Sequence, residues 1–153
     1  MKLRMAVVAV ALGLSLGLLG CIPEHDYTGD HEMTWTALFA YTSTPPHSVA
    51  KGGFADVRIR RGPGDELLVD LGPGLCRLSA LYVAADNPKD WPYFSLAPQR
   101  CTMGDGDSAL ELSVGGTGTY DDGDETRLTM VLTGSFTAGA QRGSVTWQFT
   151  SAY

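Results

Sequence analysis

Chemistry in this 153-residue chain would have to come from three histidines and 17 acidic residues. Two of the histidines sit between carboxylates, as Glu24-His25-Asp26 and Asp30-His31-Glu32. Imidazole and carboxylate are both metal ligands, but a site needs them held in one geometry. The stretch around them, Ile22 to Met33, has no apolar period and contains Pro23 and Gly29, so it reads as a flexible polar tether that holds no metal. His47 falls in a Pro-rich loop, which leaves no strand-borne histidine to act as a general base. The acid runs Gly104-Asp105-Gly106-Asp107 and Asp121-Asp122-Gly123-Asp124-Glu125 lack the ligand order of a calcium loop and read as exposed turns. Gly115-Gly116-Thr117-Gly118 is followed by no crossover helix, so it is not a dinucleotide loop. No catalytic constellation emerges, and no cofactor is expected.

One cluster has the composition of a binding site. Trp91, Tyr93 and Phe94 lie in Ala85–Arg100, a stretch without periodicity that carries Pro88, Pro92 and Pro98. Such long excursions are often functional or packed as a flap. The three aromatics could line a site for an apolar or sugar-like ligand, or fold as a lid onto a sheet.

The elements that would position them are strands. Between Thr34 and Thr42, Trp35, Ala37, Phe39 and Tyr41 alternate with threonines, a period of two. Pro45-Pro46 interrupts that strand, because proline cannot donate to a ladder. Phe54–Arg61 places Ala55, Val57 and Ile59 on one face and Asp56, Arg58 and Arg60 on the other. Leu67–Leu71 follows as a short strand between Gly-Pro-Gly turns. Leu75–Ala84 carries Cys76, Leu78, Ala80 and Tyr82 on one side. Leu81 and Val83 face the other way, so this strand is expected to be covered on both faces near its end. Leu110, Leu112 and Val114 alternate next, continuing past an expected glycine bulge to Tyr120. The acid run at Asp121–Glu125 is a hairpin signal. Leu128, Met130 and Leu132 alternate on the return strand, and Val145, Trp147, Phe149 and Tyr153 on the last. Ser108-Ala109-Leu110-Glu111 matches a helix capping box, but Gly115-Gly116 would cut such a helix short. The fold class is therefore all-β: an antiparallel meander of seven or eight strands closing into a small barrel or sandwich.

The first twenty-one residues have a separate purpose. Lys2 and Arg4 precede an uncharged, mostly apolar run, Met5–Leu19, that ends in Leu18-Leu19-Gly20-Cys21. A basic start, an apolar core and a small residue before the cut describe a secretory signal; the run is short for a membrane span of about 20 apolar residues. The Gly13-x-Ser15-x-Gly17 match to a nucleophile elbow lies inside this discarded segment and carries no meaning. The ending resembles the lipobox of bacterial lipoproteins. The resemblance implies cleavage before Cys21, acylation of its thiol and attachment to a membrane through that lipid. Ile22 after the cysteine, not the Asp tied to inner-membrane retention in that family, implies the outer membrane. The body resembles, weakly, small lipocalin-like β-lipoproteins, which implies no activity.

That division gives three parts: a signal peptide at 1–20, a tether at 21–33 and one β-domain at 34–153. Removing Lys2 and Arg4 with the signal leaves nine basic residues against 17 acidic, a net charge of about −8. Such a surface repels phosphate backbones and excludes nucleic acid as a partner. With Cys21 taken by lipid, Cys76 and Cys101 remain, and an even pair in an exported chain reads as a disulfide. That bond is expected to pin the Trp91 excursion. The expected function is that of a lipid-anchored envelope protein with a structural or interaction role, with an unknown protein partner and no catalysis. The alternative is a binding module with a small ligand at the barrel mouth near Trp91.

Overall fold

A computed structural model describes residues 26–85, 92–121 and 124–151. Eight strands follow in order: β1 (Gly29–Tyr41), β2 (His47–Arg61), β3 (Glu66–Asp70), β4 (Arg77–Val83), β5 (Tyr93–Met103), β6 (Leu110–Asp121), β7 (Asp124–Ala138) and β8 (Gln141–Ser151). Each pairs antiparallel with the next, and β8 returns to β1, so the sheet closes as an up-and-down barrel. The closing seam runs from Met33↔Ser151 to Tyr41↔Gly143. Closure decides between the barrel and the sandwich, and it leaves the whole meander without a crossover.

The alternation read along the strands is the alternation of the wall. On β8, Val145, Trp147 and Phe149 are buried while Ser144, Thr146 and Gln148 are exposed. Leu128, Met130 and Leu132 on β7 and Leu110, Leu112 and Val114 on β6 fill the same interior. Three rings lie across a glycine on the neighbouring strand: Trp35↔Gly53, Phe94↔Gly118 and Phe136↔Gly143. A Cβ at Gly118 would run into the Phe94 ring, and one at Gly143 into Phe136. Glycine at those two positions is what lets large rings lie flat against so narrow a wall.

Several boundaries differ from the sequence reading. β1 begins at Gly29, so the last residues of the expected tether are strand: Gly29 to Met33 pair with Ala55 to Ile59. β2 begins at His47, well before Phe54, because its first half is carried by the β1 ladder and not by an apolar period of its own. Tyr93–Met103 is a strand, not part of a long excursion. Its Pro98 is accommodated by a register shift between Leu96 and Gln99. The bulge therefore lies in β5, opposite Gly115, and not in the glycines of β6; a Cβ on Gly115 would meet the Leu96 carbonyl at 2.7 Å. A 3-10 turn, Gly106–Ser108, precedes β6.

The barrel has two unlike ends. The chain enters at Asp26 and the last described residue, Ser151, lies at one end, here the lower end, with the 62–65 connection and the strand ends Val83, Tyr93, Asp121 and Asp124. The upper end carries the 42–46, 71–76, 104–109 and 139–140 connections. β3 and β4 are only 5 and 7 residues long, against 13 and 15 for β1 and β2. Their hairpin stops short of the upper rim and leaves a notch in the wall between β2 and β5.

Candidate functional site

Cys21 and Trp91, the expected lipidation site and the centre of the expected ligand site, lie outside the described residues, as do His25 and Tyr153. Tyr93 and Phe94 are described and do not share a face: Tyr93 points out from β5 and is partly exposed, whereas Phe94 is fully buried in the core. Adjacent residues of a strand point to opposite sides, so these two cannot line one pocket.

Cys76 and Cys101 are bonded, with their Cα atoms 5.4 Å apart. The bond ties the residue before β4 to the upper part of β5, whereas Val83 and Tyr93, the strand ends nearest to Trp91, lie at the lower end. Between the two, the β4–β5 ladder has only three rungs, Leu81↔Ser95 to Val83↔Tyr93. The Gln99 side chain fills in for the missing strand contacts. Its Oε1 accepts from the Ser79 backbone N–H (2.8 Å), and its Nε2 donates to the Ser79 carbonyl (2.7 Å).

What holds the lower end is Tyr27, a residue with no strand period to announce it. Its ring is buried, meets Phe94 edge-on at 5.1 Å and lies within 6.1 Å of Tyr82. Its hydroxyl donates to the Pro92 carbonyl, which also accepts from Thr119 Oγ1 at 3.2 Å. His31 Nε2 donates to the Tyr27 carbonyl (3.0 Å), and Tyr120 Oη to the Asp26 carbonyl (3.2 Å). His31 is thus a structural donor on β1, not a residue of a free tether. Burial pushes the Tyr27 hydroxyl up to about 12. The Tyr120 hydroxyl is raised as well, by burial first and then by the Asp26 carboxylate. Asp26 itself is lowered, first by the Thr28 hydroxyl, then by the Thr28 backbone N–H, with Arg61 adding to both. Asp30 is lowered by its bond to Arg60 at 2.6 Å. Arg58 and Arg60 thus pair with Asp30, and Arg61 with Asp26.

The interior is occupied. Phe39, Ile59, Phe94, Leu128, Trp147 and Phe149 fill it from wall to wall. Among the described residues, Trp147 Nε1 is a buried polar atom without a hydrogen-bond acceptor. The Trp147 ring packs against Trp35 at 5.8 Å and Phe149 at 4.9 Å, ring centre to ring centre. Among the described residues no group of three or more His, Cys, Asp or Glu could hold a metal ion.

The notch at the upper end is the feature that the sequence did not announce. β3 pairs with β2 only over Arg58–Arg61. The His47–Ala55 stretch of β2 has β1 on one side and, among the described residues, no strand on the other. Phe54 stands on this edge, 88 % exposed, in a surface depression shared with Pro73 and Leu75. Lys51 points to the inner face of the edge, its Nζ 5.6 Å from the centre of the Phe39 ring. An unpaired row of N–H and C=O groups is a template for another strand. An inward lysine on such a row discourages indiscriminate pairing. The arrangement has the geometry to accept an extended polypeptide as a further strand. No known protein family matches the chain, and neither a curated protein nor a solved structure matches it.

Proposed function

We propose that this chain is an exported lipoprotein, held in the cell envelope by acyl chains on Cys21, and that it acts as an interaction protein. Its role is to pair the open edge of β2 with an extended segment of a protein partner, and catalysis forms no part of it. The observation that carries this reading is the unpaired His47–Ala55 edge with Phe54 exposed beside Pro73 and Leu75. Strand addition draws affinity from main-chain hydrogen bonds and specificity from alternate side-chain pockets. The depression next to Phe54 would receive one such side chain, and a carboxylate opposite Lys51 would satisfy its charge. The lipid anchor is supported by Leu18-Leu19-Gly20-Cys21 behind the basic and apolar start, and the outer membrane by Ile22. Two or more acyl chains are needed for stable attachment, since a net charge of about −8 gives no attraction to anionic lipid.

The test is a photo-reactive amino acid placed at Phe54 in the full chain in intact cells, with Thr146 on the outer face of β8 as the reference position. Position 54 should give one defined adduct that position 146 does not, and Lys51→Glu should abolish it. Identical adducts at both positions, or none at 54, would overturn the interaction reading.

A further inference from the structure

The lower end carries a second exposed surface with a different character. Leu81 is 59 % exposed, Leu68 46 % and Tyr93 39 %. The ladders place them side by side on the outer wall. Val83 stands directly opposite Tyr93, Leu81 follows Val83 on the same face, and Leu68 lies diagonal to Leu81, whose direct partner is Glu66. The alternation along β4 reads as a strand covered on both faces at this end, and nothing among the described residues covers the outer one.

The attachment of the N-terminal segment says what does. Tyr27 is buried in the lower end and Asp26 is tied there by Tyr120 and Arg61. From Cys21 to Asp26 the chain reaches at most about 18 Å, even fully extended. β7, by contrast, is 15 residues long, or roughly 50 Å of strand. A lipid on Cys21 therefore holds the lower end against the membrane and keeps the upper end, with the β2 edge, away from it.

We propose that the outer face formed by Leu68, Leu81, Val83 and Tyr93 sits in the headgroup boundary of the membrane that holds Cys21. The inference rests on the lipid-anchor reading. Its side chains suit that boundary: leucine and valine bury apolar area among the upper acyl carbons, and the tyrosine ring spans the apolar and wet layers with its hydroxyl outward. Glu66, across from Leu81, and Arg60, across from Leu68, border the face with one charge of each sign, so its insertion draws no net help from anionic lipid. The barrel is thus held by two contacts, the acyl chains and this face, and its orientation is fixed relative to the membrane.

The full acylated chain, reconstituted into phosphatidylethanolamine–phosphatidylglycerol vesicles containing a spin-labelled lipid, tests this. A fluorophore on Leu81→Cys, or on Tyr93→Cys as a second variant, should be quenched several-fold more by the lipid spin label than one on Phe54→Cys. Equal, weak quenching at the two ends, with Cys21 shown by mass to be acylated, would overturn this inference alone. Absence of acyl chains on Cys21 would overturn the anchor reading and this inference with it. Protection of position 81 from aqueous iodide without quenching by the lipid label would mean that protein, a second copy included, covers the face, and would also overturn it.

Discussion

Tyr27 and Tyr120 stack, their ring centres 4.9 Å apart and their planes 11° from parallel. One ring belongs to the segment that enters the barrel, the other to the end of β6, nearly a hundred residues later. The stack turns what reads as a linker into the plug of the lower end. Tyr27→Ala should therefore cost about 3–5 kcal/mol, as for other large buried rings. Tyr27→Phe, which keeps the ring and loses the bond to Pro92, should cost about 1 kcal/mol. Urea melts of the three proteins at pH 8 give both numbers.

The same hydroxyl makes stability fall in alkali. An ordinary tyrosine ionises near pH 10, whereas Tyr27 in the folded protein does so at about 12. A raised folded value means that the contribution is intact below pH 10 and is lost as the pH rises from 10 toward 12. The two-unit difference corresponds to roughly 2–3 kcal/mol. Between pH 8 and pH 11 the natural protein should lose more stability than Tyr27→Phe, and equal losses would exclude Tyr27 as the cause.

Cys21→Ser should leave unprocessed precursor that no longer labels with a palmitate analogue. The expectation follows from the small residue and apolar approach supplied by Leu18-Leu19-Gly20. Labelling that survives the substitution would refute the anchor.

The β4–β5 seam depends on a side chain and a covalent bond in place of a full ladder. Cys76→Ala should lower stability by roughly 3–4 kcal/mol for the 25-residue separation in the chain-entropy account. Gln99→Ala should cost about 1 kcal/mol, since water can replace part of what is lost, and it should speed exchange of the Ser79 amide hydrogen. Because the two act on one seam, their effects should not add, which a double-variant melt will show.

Trp147 is fully buried and Gln148, next to it, is exposed. Trp147→Ala should cost about 3–5 kcal/mol, a large share of the stability of a domain of this size. Gln148→Ala should change little. Small, equal effects in urea melts would place Trp147 outside the core.

The strands that were legible are those that own their alternation. Trp35 and Phe39 on β1, and Val145, Trp147 and Phe149 on β8, each predict a face, and the wall buries that face. The meeting of Trp147 with Trp35 follows from closing a meander whose first and last strands share this pattern. The elements that were missed borrow their order from a neighbour. Gly29–Glu32 is polar because strand positions near a barrel's end need little apolar area, and its pairing is set by β2. Ser48–Gly53 lacks a period because neither of its faces is buried in the core. β5 hides behind three prolines, of which Pro92 precedes the strand and Pro98 sits at the bulge that spares it a donor. Tyr27, a single aromatic in an acidic stretch, and Gln99, a polar residue after a proline, carry no local signal at all. Their roles come from residues far along the chain.

The β1–β8 seam has a consequence for when the fold can exist. Phe39 faces Val145 across it, so the last strand to be made is the one that completes the wall. Loop closure must be met before such distant contacts reward it, which makes this topology slow to form. If the chain leaves the cell interior starting from its N-terminus, every earlier strand waits, with the edges of β1 and β7 both bare, until β8 has crossed. Chains cut short before Gln141 would keep those two edges for good. They would persist as aggregation-prone sheets and not as partly working barrels.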